Sequence, residues 1–278
     1  MTAIPAAGVH GRAVPLVTVI TPTRGRLAAL RTAMVSVRSQ DLGNIEHIVL
    51  GDDCPVLASP DVRASMEADF PMARVGNLPS PTPVLTYRPA RTARIRNIGI
   101  ASSRGEFIAH LDDDNSYEPD HLATLIATLR DNPAAVAAHS WRLLFDPGGR
   151  PYVPDGLNPW IPDSAASARN YAELTDSGVF SRGSNVMRDN ISGRKGQDFF
   201  LMDTSELLVR ASFHRTYLFR TQYTAAQMAE GMCEDRAWCM DVAQAGHKIV
   251  RSGQATLRYT MGGYSNKSYG PGAPPEAP

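Results

Sequence analysis

This chain of 278 residues has little lysine, little cysteine and no net charge. Lysine occurs only at Lys195, Lys248 and Lys267, the other basic residues being arginines, and 28 basic residues face 28 acidic ones. With no excess of positive charge, nothing in the composition attracts nucleic acid or an anionic membrane. Cys54, Cys233 and Cys239 are odd in number and lack CxxC spacing, which argues against both a disulfide framework and a zinc site. No apolar run approaches the ~20 residues of a membrane span. The first residues also lack the basic-then-apolar pattern of a signal peptide. These absences lead us to expect a cytoplasmic protein with free thiols and no membrane span.

What the chain does contain is an alternation of strands and helices. Residues 1–13 and 263–278, rich in Ala, Pro and Gly without apolar periodicity, read as tails. Val14 to Ile20 is a β-branched run, followed by Thr21-Pro22-Thr23-Arg24-Gly25-Arg26 and then Leu27, Leu30, Met34 and Val37 at helical spacing. Ile45 to Leu50 and Val84 to Tyr87 read as further strands, Ile95 to Ala101 as helix, and Leu122, Leu125, Ile126 and Leu129 form an amphipathic stripe. Val136 to Phe145, Ser205 to Val209, Lys248 to Arg251 and Thr256 to Tyr259 complete the strands, with a helix from Cys233 to Ala245 stopped by Gly246. Such alternation predicts one α/β domain with a mostly parallel sheet flanked by helices. Between Asp146 and Asp203 the periodicity dissolves into Gly, Pro, Asp, Asn and Ser, which predicts a long, mobile loop insertion.

The strongest chemical signal is the apolar run Phe107 to Leu111, which ends in Asp112-Asp113-Asp114. A buried strand delivers these acids to its carboxyl end, where open α/β sheets bind ligands. If extended geometry continues into them, Asp112 and Asp114 share one side. Paired hard oxygens suit Mg²⁺ or Mn²⁺ held together with a diphosphate. Asp52 and Asp53 likewise follow a strand. Arg91, Arg94 and Arg96 with Asn97 offer a basic face able to neutralise phosphate. Glu234 and Asp235 open a helix, where the dipole favours negative charge and would keep Asp235 ionised. His110 reads as a packed strand residue.

In this order the pieces resemble family 2 glycosyltransferases of the GT-A fold, over Val14 to Tyr259. VTVITPTRGR (17–26) is similar to the opening strand and Pro-Thr loop that holds the nucleotide base, implying a donor-binding role for Pro22, Thr23 and Arg24. GDDC (51–54) matches the acidic turn for base and ribose, assigning Asp52 and Asp53. Arg96-Asn97-Ile98-Gly99 is similar to the ARNxG helix, and Leu111 to Asp114 to the DxD motif, with Asp112 and Asp114 as metal ligands and Asp113 beside the donor. DTSELLVR (203–210) is similar to the acceptor-side strand. Glu234-Asp235 matches the ED motif, in which Asp235 is the catalytic base and Glu234 orients hydroxyls. Arg24 replaces an aromatic residue, Ile95 the usual alanine, and Asn115 a fourth aspartate. The QxxRW signature of processive synthases is absent.

The resemblance implies a metal-dependent, inverting, single-transfer enzyme that uses a nucleoside-diphosphate sugar, UDP being the family's commonest base, and a small-molecule, glycan or natural-product acceptor. Residues 14–145 would bind the donor, and 146–262, with the loop 146–203 as lid, the acceptor. Two other classes stay open. A sugar-1-phosphate nucleotidyltransferase shares a related sheet, but Gly25 stands alone where a triphosphate-cradling loop needs several glycines. An inactive sugar-nucleotide-binding module would have no need of carboxylates at every reactive position.

Overall fold

The computed structural model describes residues 14–80, 86–189, 191–192, 199–263 and 266. The first half runs β1 (Val17–Thr23), α1 (Leu27–Arg38), β2 (Ile45–Asp52), α2 (Pro60–Asp69), β3 (Ala73–Leu78), α3 (Arg88–Ser102), β4 (Phe107–His110), β5 (Ser116–Tyr117), α4 (His121–Asp131) and β6 (Ala135–Phe145). The second half runs α5 (Ser164–Asp176), β7 (Val186–Met187), β8 (Ile191–Ser192), β9 (Phe199–Phe200), β10 (Leu207–Arg210), α6 (Ala211–His214), α7 (Ala225–Ala229), α8 (Glu234–Gln244) and β11 (Lys248–Thr260). The main sheet has the order β3-β2-β1-β4-β10-β6-β11-β5. Strands β1 to β4 pair in parallel, and β6 pairs in parallel with β11. Strand β10 alone among the central strands runs against its neighbours, β4 and β6. Strands β1 to β4, β6 and β11 therefore all point one way and present their carboxyl ends at one edge.

The period of two along β1 divides the core. Val17 and Val19 pack toward Ala33 and Val37 of α1 and Leu122, Leu125 and Leu129 of α4. On the other face Ile20, Ile108 and Val209 meet Ala93 and Ile100 of α3 and Trp238 and Val242 of α8. Helix α3 lies close on β1 because residue 99 is glycine: a Cβ there would stand 2.6 Å from Ile20 Cγ2. That approach sets the depth at which Arg96, one turn earlier, enters the sheet edge.

Three expectations about the elements are corrected. The third strand is Ala73–Leu78, not 84–87: Tyr87 flanks the start of α3, and residues 84 and 85 lie outside the described ones. The closing strands are one bulged strand, β11, rather than two. The stretch 146–203 holds helix α5, started by Asp163, whose carboxylate accepts from Ala166 N. Only Ser167 and Tyr171 of α5 are buried, so the helix has no apolar stripe for a periodicity to reveal. Tyr171 stacks on Phe180, and its hydroxyl donates to Pro154 O at 3.1 Å. The tails 1–13 and 267–278, with 264 and 265, lie outside the described residues.

Candidate active site

Strand β4 ends at His110, and the chain then turns instead of staying extended. Asn115 N donates to Asp112 O at 3.1 Å, closing a tight turn over the three acids. The turn is fixed from behind by Ser205, whose Oγ accepts from Asp112 N at 3.1 Å and from Asn115 Nδ2 at 3.2 Å, while Asn115 Oδ1 accepts from Thr260 N at 3.0 Å. The expected alternation of side chains is thus replaced by a division between two arginines. Asp112 pairs with Arg96. Asp113 is buried, accepts from Thr23 Oγ1 at 2.6 Å and is gripped by Arg26, which also holds Asp114. Asp112 and Asp114 keep 31% and 19% of their side-chain surface, Asp113 only 3%, so the first and third acids are the reachable pair and the second is a buttress.

Arg96 links this turn to the start of α8. It is 1% exposed, Nη2 binds Asp112, and Nε lies 3.8 Å from Glu234 Oε1. Its Nε and Nη1 are buried without a hydrogen-bond acceptor. Orphaned guanidinium donors inside a protein are costly. An anion within reach of them would lower that cost. Arg91, Arg94 and Arg96 do not form the single basic face expected, because positions 91 and 96 project from different sides of a helix. Arg91 meets Asp52 at 2.8 Å instead, and Asn97 makes a reciprocal pair with Phe219 N and O.

At the start of α8, burial dominates the electrostatics. It pushes Glu234 up to about 8, with Asp235 adding to the effect and Arg96 opposing it. Asp235 is raised as well, through burial first, although Cys233 and the Arg236 N–H, at 2.6 Å from Oδ1, favour its charged form. The helix start was expected to hold Asp235 ionised as a weak base; desolvation outweighs the dipole and makes it a stronger one. Asp203, at the head of β10, is pushed up to about 6 by burial and then by Asp112 and Asp235. Its Oδ1 accepts from Ser205 N, and Glu206 closes the reciprocal cap. Glu206 in turn holds buried Arg142 at 3.1 and 2.8 Å, with the guanidinium over Tyr259 and Trp160.

The remaining expected donor residues line the carboxyl ends of β1 and β2. Pro22 is half-buried, Thr23 is buried with its hydroxyl on Asp113, and Arg24 is exposed. Asp53 sits at φ 49° and accepts from Ser80 Oγ at 2.8 Å. His110 packs in the core, its Nε2 2.8 Å from His214 Nε2. Asp203, Glu206, Arg142 and Arg26 were not picked out from the sequence. The D-x-x-E cap before an apolar run was a legible signal for the first two. Arg26 stands at the head of α1, where Ser, Asp or Asn is favoured and a cation is not.

The acid turn fits Mg²⁺ or Mn²⁺ in one specific way. Among the described residues no group of three or more His, Cys, Asp or Glu forms a ready metal cage. Asp112 and Asp114 supply two reachable carboxylates, which is what such an ion needs from a protein when a diphosphate and water complete its shell. No helix among the described residues is long and apolar enough to cross a membrane.

The chain is similar to known proteins over part of its length. EpsH of Bacillus subtilis (strain 168), which carries a glycosyltransferase name, is 31% identical over 120 residues, 42% of this chain and 31% of EpsH. A glycosyltransferase of Haemophilus influenzae is 25% identical over 118 residues, 42% of this chain and 36% of that protein. The matches thus take in about a third of these relatives' own length. Among solved structures, Staphylococcus aureus TarS 1–349 in complex with UDP-GlcNAc superposes with a TM-score of 0.54 at 15% identity, covering 91% of this chain and 61% of TarS 1–349. The mannosyltransferase PcManGT of Pyrobaculum calidifontis, in complex with GDP-Man and Mn²⁺, gives 0.52 at 14% identity, covering 89% and 57%. The fold is accordingly the GT-A α/β fold. The glycosyl transferase family 2 profile matches residues 18–192, more than half of the chain, and the protein belongs to that family.

Proposed function

We propose that the protein transfers a sugar from a nucleoside-diphosphate donor to an acceptor hydroxyl, with inversion and with the help of Mn²⁺ or Mg²⁺. The observation that carries this reading is Arg96: buried, bound to Asp112, close to Glu234 and left with two unpaired donors. It places positive charge between a pair of reachable acids and a pair of raised ones. Asp112 and Asp114 would hold the divalent cation. That ion, when bound, supplies charge to offset the leaving diphosphate.

The chain's own groups account for the rest. Arg96 offers Nε and Nη1 to the diphosphate as its negative charge grows. Asp235, raised by burial, accepts the proton of the acceptor hydroxyl, and a single displacement at the anomeric carbon inverts it. Glu234, protonated up to about pH 8, donates a hydrogen bond to a donor or acceptor oxygen. Asp52 and Asp53 at the end of β2, with Pro22, Thr23 and Arg24, would bind base and ribose; UDP is the proposed nucleotide, and a TarS fragment of the same fold is held with UDP-GlcNAc. Residues 146–262 form the acceptor side, 146–203 closing over it.

Product analysis tests the reaction. With a nucleotide sugar and Mn²⁺ the protein should release free nucleoside diphosphate as the sugar is transferred. Pyrophosphate release would indicate a nucleotidyltransferase, and binding without turnover an inactive module.

A further inference from the structure

One cation in the site has no part in the scheme above. Arg26 reaches from the head of α1 across to the acid turn, where one guanidinium nitrogen binds Asp113 Oδ1 and another Asp114 Oδ2. A guanidinium on Asp114 neutralises one of the two reachable carboxylates that a divalent cation would need, while its other nitrogen is anchored on the buried Asp113. The two site arginines are held very differently. Arg96 is 1% exposed and anchored in the middle of α3, whereas Arg26 is 47% exposed and follows Gly25, whose φ of 105° only glycine adopts readily. Among the described residues the Arg26 side chain has no other polar partner, and it lies at the positive end of α1, where the dipole opposes it. Its position therefore depends on Asp113 and Asp114.

We propose that Arg26 is a built-in counter-ion that competes with a divalent cation for Asp114, the carboxylate it shares with the cation site, and gives Asp114 up when a donor diphosphate offers its guanidinium another anionic partner. This rests on the reading of the acid turn as a cation site. Its consequence is that the protein alone takes up a divalent cation weakly, and that cation and nucleotide bind cooperatively. Guanidinium recognises a diphosphate through the same planar, two-point geometry with which it holds the two carboxylates. Exchange of one partner for the other needs only rotation about the side-chain torsions of Arg26, which is 47% exposed.

The probe is Mn²⁺, followed through the electron paramagnetic resonance signal of the free aqueous ion as protein is added, without nucleotide and then with UDP or GDP. Arg26→Gln should bind Mn²⁺ alone at least tenfold tighter than the wild type, which is ~1.4 kcal/mol. The gain should vanish in Arg26→Gln/Asp114→Asn, as expected when one site carries both effects. Circular dichroism confirms that each variant is folded, and Arg26→Lys, which keeps charge but loses the two-point grip, should fall between. Equal or weaker Mn²⁺ binding by folded Arg26→Gln, or a gain that persists without Asp114, overturns the proposal. If the wild type binds Mn²⁺ with nucleotide while Arg26→Gln gains nothing, only the role of Arg26 fails. If neither protein binds Mn²⁺ even with nucleotide, the cation site itself fails, and this inference with it.

Discussion

Replacing Glu234 with glutamine should abolish most of the stability loss that the protein suffers on the alkaline side of neutrality. In the fold, burial keeps this carboxyl protonated up to about 8, against an ordinary value of 4.5. Its contribution is complete below the unfolded value and is lost as pH rises through the folded one. Buried histidines act in the opposite sense. Burial lowers His47 and His121 to about 3 and His214 to about 4, so the stability they confer is present above the ordinary 6.5 and lost as pH falls toward those values. Above roughly pH 6.5 the histidines are silent and the acids decide the slope. One proton bound only by the folded state changes stability by ~1.4 kcal/mol per pH unit, so from about pH 6.5 to about pH 8 Glu234 alone removes ~2 kcal/mol. For a chain of this size that is a fall of ~4–8 °C in Tm. Thermal melts followed by circular dichroism in chelator, at about pH 6.5 and about pH 8.5, measure it. Glu234→Gln has no proton to lose and should be the more stable protein at the higher pH. A wild-type Tm that does not fall, or equal falls in both proteins, would refute the argument that burial sets the state of this acid.

Three further outcomes are expected. Asp235→Asn keeps size and hydrogen bonding but cannot take a proton, so donor affinity should be retained while transfer falls by at least ~10²-fold; near-normal transfer would move the base elsewhere. Arg142→Ala leaves Glu206 buried without its partner and should cost ~3–5 kcal/mol in urea unfolding; a loss below ~1 kcal/mol would show that Glu206 simply protonates. Gly99→Ala places a methyl 2.6 Å from Ile20. It should cost ~1–3 kcal/mol through overpacking and weaken nucleotide binding by shifting Arg96, both measurable on the same preparation.

Much of the architecture was legible because period and punctuation agree: β1, β2, β4 and α4 each carry an unambiguous apolar pattern. The acid turn, Arg96 and the start of α8 were legible as chemical types in a recognisable order. Their mutual geometry was not. The strand rule carried past His110 predicted Asp112 and Asp114 side by side, whereas a turn held by Ser205 and Asn115, which are 90 residues apart, sends Asp112 to Arg96 and both Asp113 and Asp114 to Arg26. The basicity of Asp235 was misread for a related reason: a helix start is a local feature, but the burial that raises this acid is a tertiary one. Helix α5 escaped because it buries only two of its residues, and the reversed direction of β10 because strand polarity leaves no trace in a four-residue run.

The central claim is that Asp112, Asp114 and Arg96 hold a nucleoside diphosphate together with a divalent ion, and nucleotide binding is its most direct measure. A thermal-shift panel of UDP, GDP and dTDP, each with and without Mn²⁺, should find one nucleotide that stabilises the protein only when Mn²⁺ is present. At about 100 times its Kd the gain should be ~2.7 kcal/mol, or ~5–10 °C in Tm. Asp112→Asn should abolish it while melting as a folded protein. No shift with any of the three nucleotides, or a shift that is the same without Mn²⁺ and in Asp112→Asn, would contradict the account.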